Sequence, residues 1–259
     1  ETAQVGADKF TEIYADFGYE EALYRDSSSL SYIAEPVKDF WLIGLDVCVY
    51  PEDPSEGYAS TGGKLRKETL RWLEALLLTE EASKKTKVLI MHQGLLEPVH
   101  TQARHCEDYM LLRYKKNSRL LASMGVTTVF TGHFHANDIT LQRWKNGSFL
   151  FDIETGSLLS YPCPLRQVSI KGDSMMIETQ HIQSIPSHTE GLQEYARLSV
   201  IEGTAHIAER TMMRYKLNRE DAGNIANQLG ILLADHFAGD ELAREPPLDL
   251  QGVSIWGRL

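Results

Sequence analysis

Gly132-His133-Phe134-His135 sets two imidazoles two residues apart, directly after a glycine. On extended backbone, residues i and i+2 project to the same side, so both rings can meet at one locus. The glycine removes bulk where backbone and ligand approach closely. Neutral imidazole is the commonest metal donor and suits zinc, iron, manganese and nickel. A bare His-x-His also arises by chance on surfaces, so the pair alone decides little. Two further polar residues sharpen it. His92 closes the apolar run Lys87–Met91, and Asp46 lies inside the run Asp39–Tyr50. Polar residues at the ends of successive buried strands fit an α/β sheet whose site lies beyond its carboxyl edge.

The elements that would position them follow from periodicity. A short helix is expected around Asp8–Phe17 and a strand over Leu30–Ala34. Asp39–Tyr50 reads as a strand buried on both faces, and 51–63 as a loop. Lys64–Leu78 carries Leu65, Leu70, Leu73 and Leu77 near one helical face. Strand Lys87–Met91 precedes a long polar stretch, Gln93–Lys116; helix Ser118–Met124 stops at Gly125, and strand Thr127–Thr131 runs into Gly132. This alternation predicts parallel pairing. Asp138–Trp144, Ser148–Ile153, Arg166–Ile170 and Met175–Gln180 read as consecutive strands joined by short turns. From about Gly191 the pattern turns helical. Asn218 is placed to cap a helix carrying Ile225, Leu229, Leu232 and His236, with Gly239 as its stop. Tyr195, Leu198, Ile201, Met212 and Met213 read as helix packing.

The chain has 259 residues and a formal net charge of -10 from 36 acidic and 26 basic side chains. Nonspecific nucleic-acid or membrane-surface binding needs a basic footprint, which this balance lacks. No stretch approaches the ~20 apolar residues of a membrane span. Cys48, Cys106 and Cys163 form no CxxC pair and read as free thiols. The compartment is left open, because the chain begins at Glu1 without Met and reads as a piece of a longer one.

Ile43-Gly44-Leu45-Asp46, the helix bearing Trp72, Leu89-Ile90-Met91-His92 and Phe130-Thr131-Gly132-His133-Phe134-His135 together resemble the second half of calcineurin-like metallophosphoesterases. The resemblance runs from about residue 8 to residue 180, and its specific part is Gly-His-x-His. It implies an α/β (α+β) fold: a partial four-layer β-sandwich flanked by helices, with a helical C-terminal region. Residues 1–187 would be the C-terminal portion of the phosphoesterase domain and 188–259 a mostly helical extension. It also implies hydrolysis of a small phosphorylated substrate, a phosphomonoester or phosphodiester, by two divalent ions (manganese, iron or zinc) about 4 Å apart. His92 and His133 would bind one ion and His135 the other. Asp46 and Gly132 would be structural or support the ligands from behind. His100, Arg104, His105 and Tyr109 form a candidate substrate loop, although solvated or ordinary surface roles are the simpler reading of each.

The family's Asp-x-His, Gly-Asp and Gly-Asn-His-Asp/Glu motifs are absent, and Asp8 is followed only by Lys9-Phe10. The bridging carboxylate goes with them, so this chain would hold one ion or none and be weakly active or inactive alone. Two readings follow: a metal-dependent phosphoester hydrolase, or a non-catalytic binding and assembly module on part of that fold. In either, apolar surface left uncovered would be met by self-association or by pairing with the missing N-terminal segment.

Overall fold

A computed structural model of the chain describes residues 7–50, 60–99, 102–172 and 174–239. In chain order its elements are α1 (Ala7–Ile13), β1 (Tyr24–Arg25), β2 (Tyr32–Val37), β3 (Phe40–Gly44), α2 (Lys67–Leu77), α3 (Glu80–Ser83), β4 (Thr86–Ile90) and α4 (Gln102–His105). They continue as α5 (Tyr114–Ser123), β5 (Thr128–Thr131), β6 (Ile139–Arg143), β7 (Phe149–Glu154), β8 (Pro164–Lys171), β9 (Ser174–His181), α6 (Leu192–Arg214) and α7 (Arg219–Ala238). The fold is α/β, as expected. The chain forms two compact units: Glu1–Phe134 with Ile139–Ile153, and His135–Asp138 with Glu154–Leu259.

The first unit holds a seven-stranded sheet in the order β1-β2-β3-β4-β5-β7-β6. Its centre, β3-β4-β5, is parallel, and the β1-β2, β2-β3 and β6-β7 pairs are antiparallel. Parallel neighbours need a crossover, which the intervening helices supply. Ile33, Ile43, Leu89 and Val129 stand in register across β2, β3, β4 and β5, and all are fully buried. They join Leu73 and Leu77 of α2 and Leu121 of α5 in one core, so these helices cover that face. The next row, Tyr32, Gly44, Ile90 and Phe130, points the other way, because side chains alternate along a strand.

Several boundaries differ from the periodicity. The run Asp39–Tyr50 does not stay a strand: β3 ends at Gly44. The Asp46 carboxylate accepts hydrogen bonds from Leu30 N, Cys48 N and Tyr50 Oη, which bends the chain out of the sheet. Helix α2 starts at Lys67 rather than Lys64, with Arg66 still extended before it and Lys64 N donating to Val47 O. Helix α5 starts at Tyr114 rather than Ser118, and its charged first turn hid it inside the polar stretch. Buried Asp26, which the sequence reading passed over, ties α2 to the β1–β2 turn by accepting from Thr69 Oγ1, Ser29 Oγ and Ser28 N. Burial alone would raise its pKa, but the hydrogen bonds from Thr69, Ser29 and Ser28 together hold it below the ordinary value.

In the second unit, β8 and β9 form an antiparallel ribbon. Helices α6 and α7, joined by residues 215–218, lie against each other. Asn218 caps α7 by accepting from Asp221 N at 2.9 Å, as its type predicts. The buried face of α7 differs from expectation. Ala222, Ala226, Gly230 and Ala234 form it, while Leu229 and Leu232 are exposed. A stripe of small residues lets the backbones approach closely: a Cβ at Gly230 would lie 2.4 Å from Ile201 O. Ile201 and His236 are buried as read, whereas Tyr195, Leu198 and Met213 are exposed. The three cysteines are free thiols. Among the described residues no helix is long and apolar enough to cross a membrane.

Candidate functional site

The β4–β5 ladder continues past both strands. Met91 N donates to Phe130 O at 3.1 Å, and Gly132 N donates to His92 O at 2.9 Å. This pairing sets His92 beside the residue that precedes His133. The rings then meet, with His133 Nδ1 2.9 Å from His92 Nε2 and centroids 4.6 Å apart. At that separation one nitrogen carries the proton and the other accepts it, so at least one ring is neutral. Burial pushes the His92 pKa below its ordinary value, which favours the neutral, electron-donating form.

His133 reaches this position through strained backbone. Its φ is +66°, and Phe134 N donates across it to Gly132 O at 2.8 Å, closing a three-residue turn of the rare positive-φ kind. His135 follows at φ +65°. Two non-glycine residues in this region cost of order 1–3 kcal/mol each, a burden typical of functional turns.

Asp152, which sequence reasoning missed, holds the surrounding loops. Its buried carboxylate accepts from Leu95 N at 2.7 Å, Leu96 N at 2.8 Å and Thr131 Oγ1 at 2.5 Å. It therefore fastens β7 both to the turn after His92 and to the strand end before His133. The one sequence signal was an acid inside the apolar run Phe149–Ile153, since a buried carboxylate must find donors.

The other candidates separate clearly. Tyr109 stands against His133, ring centroids 4.7 Å apart, and meets Phe134 edge-on at 5.1 Å. Its carbonyl accepts from Gly94 N, which anchors it beside the His92 loop. Arg104 lies exposed on α4. His100 and the side chain of His105 lie outside the described residues. Gly132 serves through its backbone, as donor to His92 and acceptor from Phe134. Asp46 is occupied with its own loop and lines a cleft of about 590 Å³ that His92 also lines.

His135 belongs to the second unit. There its ring lies edge-on to Phe237 at 6.3 Å, and Asn137 N donates to Phe237 O. A Cβ on Gly156 would come within 2.8 Å of His135 O.

The site thus joins two imidazoles, fewer than the roughly three or four donors a zinc or iron ion takes from protein. Among the described residues no group of three or more His, Cys, Asp or Glu side chains is gathered to hold a metal ion. Among the described residues the donor set is incomplete for a metal site.

No known family profile and no curated protein matches the chain. Among solved structures it is similar to a dimetal phosphatase from Danio rerio, with a TM-score of 0.45 at 14% identity. The match covers 60% of this chain and 58% of that one, less than two thirds of its length.

Proposed function

We propose that this chain supplies His92, His133 and His135 to a metal-dependent phosphoester hydrolase and is weakly active or inactive alone. The observation that carries the reading is the 2.9 Å approach of His133 Nδ1 to His92 Nε2 at adjacent strand ends, within a Gly-His-x-His element. A chance His-x-His has no reason to meet a third histidine 41 residues away. The strained turn at His133 and the Asp152 clamp add support, because both cost or commit stability to fix these rings. Divalent manganese, iron or zinc is the expected cofactor, two ions in the complete site, and a small phosphorylated molecule the substrate. One observation favours the other reading, a non-catalytic module: the two donors gathered among the described residues are too few for a metal ion.

Metal content by calorimetry and hydrolysis of p-nitrophenyl phosphate and its bis-ester decide between them. Both are measured with each ion for this chain and for the same chain joined to an N-terminal segment bearing Asp-x-His and Gly-Asn-His-Asp. The joined protein is expected to hydrolyse ester, and His92→Ala to weaken metal binding in both. Equal inactivity of the two proteins sinks the hydrolase reading. Equal activity sinks the claim that ligands are missing.

A further inference from the structure

The cleft beside His92 differs in character from a phosphate-binding surface. Its walls are the rings of Phe10, Tyr32 and Tyr50 with Leu30 and Met91, and its volume is about 590 Å³. That size is typical of a site for a small organic molecule, and such sites are mostly apolar with few polar groups. Gly44 makes the floor. It stands between Tyr32 and Ile90 in the row across the sheet, and the Tyr32 ring leans over it, so that a Cβ there would lie 2.4 Å from Tyr32 Cε1.

Charge narrows the occupant. No lysine or arginine is among the described residues lining the cleft, and its one carboxylate is Asp46. Asp46 already accepts from Leu30 N and Tyr50 Oη. A phosphate would meet repulsion from Asp46 there, and sugar hydroxyls would find few polar partners on the mostly apolar walls. A flat apolar ring would lie among the side chains of Phe10, Tyr32 and Tyr50, and aromatic pairs favour offset or edge-on contact.

We infer that the cleft takes an aromatic group, and that the substrate is an aryl phosphoester whose ring seats there while its phosphate faces His92. The leaving-group role rests on the hydrolase reading; the binding of the ring does not. In the hydrolysis, water oxygen bonds to phosphorus and the P–O bond to the aryl oxygen breaks. One water proton goes to the released phenol and the other stays with the phosphate.

The test is titration of the full chain with 1-naphthol, 1-naphthyl phosphate and glycerol 2-phosphate, following tyrosine ring resonances by NMR. A parallel titration with zinc follows the His92 and His133 rings. Both naphthyl compounds are expected to bind saturably and glycerol 2-phosphate not at all. Tyr32→Ala should raise the naphthol Kd about tenfold. Phe10→Ala, at a half-exposed position where folding is not at risk, should raise it in the same direction. Naphthyl binding no tighter than glycerol 2-phosphate, or unchanged in both variants, overturns the inference. Zinc at the histidines without naphthol binding overturns the inference and spares the hydrolase reading. Naphthol binding together with inactivity of the N-terminally joined protein overturns the hydrolase reading and leaves the aromatic site standing.

Discussion

At the scale of single residues, His133 sets stability against function. A side chain at φ +66° is strained, and glycine relieves that strain while removing the imidazole. His133→Gly should therefore be more stable than His133→Ala by about 1 kcal/mol, although both lose the same ring. Urea unfolding of the two variants measures the difference, and equal midpoints would show the turn to be unstrained. Asp152 works in the opposite sense. Its removal leaves three buried donors unanswered, so Asp152→Ala should cost about 3 kcal/mol. It should also loosen the loops that carry His92 and His133, seen as faster amide exchange at Leu95 and Leu96. A cost under about 1 kcal/mol would mean that water replaces the carboxylate.

At the scale of elements, β4 contains a buried cation. Lys87 is 6% exposed, and no salt bridge to a carboxylate is found for it among the described residues. Burial lowers its pKa below 10.5. The unfolded chain therefore holds the proton more tightly, and Lys87 costs stability at neutral pH. The cost is full below the folded pKa and fades as pH climbs toward the unfolded value. Lys87→Met should raise the unfolding midpoint at pH 7, with the gain shrinking toward pH 10; a gain independent of pH would exclude ionisation as its cause. On α7, Gly230→Ala forces a Cβ against Ile201 O and should cost about 1–3 kcal/mol by thermal unfolding. No loss would mean that the two helices separate freely.

These elements also show what a sequence can disclose. Strands β3, β4 and β5 were legible because each is an apolar run, and His92 and His133 because each follows one. The end of β3 was not, since Asp46 accepts from Leu30 N, a partner brought near only by the fold, and the start of α5 was hidden by its charged first turn. Asp152 was opaque for the same reason: its donors at Leu95 and Leu96 lie 57 and 56 residues away. The small-residue face of α7 escapes a reading by hydrophobic size, because close helix contact selects for small side chains.

At the scale of the whole molecule, apolar surface remains uncovered. Ile207 and Tyr215 of the α6 region are 68% and 78% exposed, and Leu165, Val168, Ile170 and Met176 are exposed on the β8–β9 ribbon. A two-stranded ribbon is marginal in water without a covering surface. The chain is therefore expected to associate beyond the monomer at low micromolar concentration. Light scattering checks this, and a clean monomer would overturn it. The end of α7 carries another consequence. Phe237 O accepts from Asn137 N, and Gly239 lies against Asn137 O, closing a loop of about 100 residues over the His135 segment. Loops of that length close late, because the chain loses much freedom before the contact rewards it. During synthesis this closure over the His135 turn must wait until residue 237 has left the ribosome.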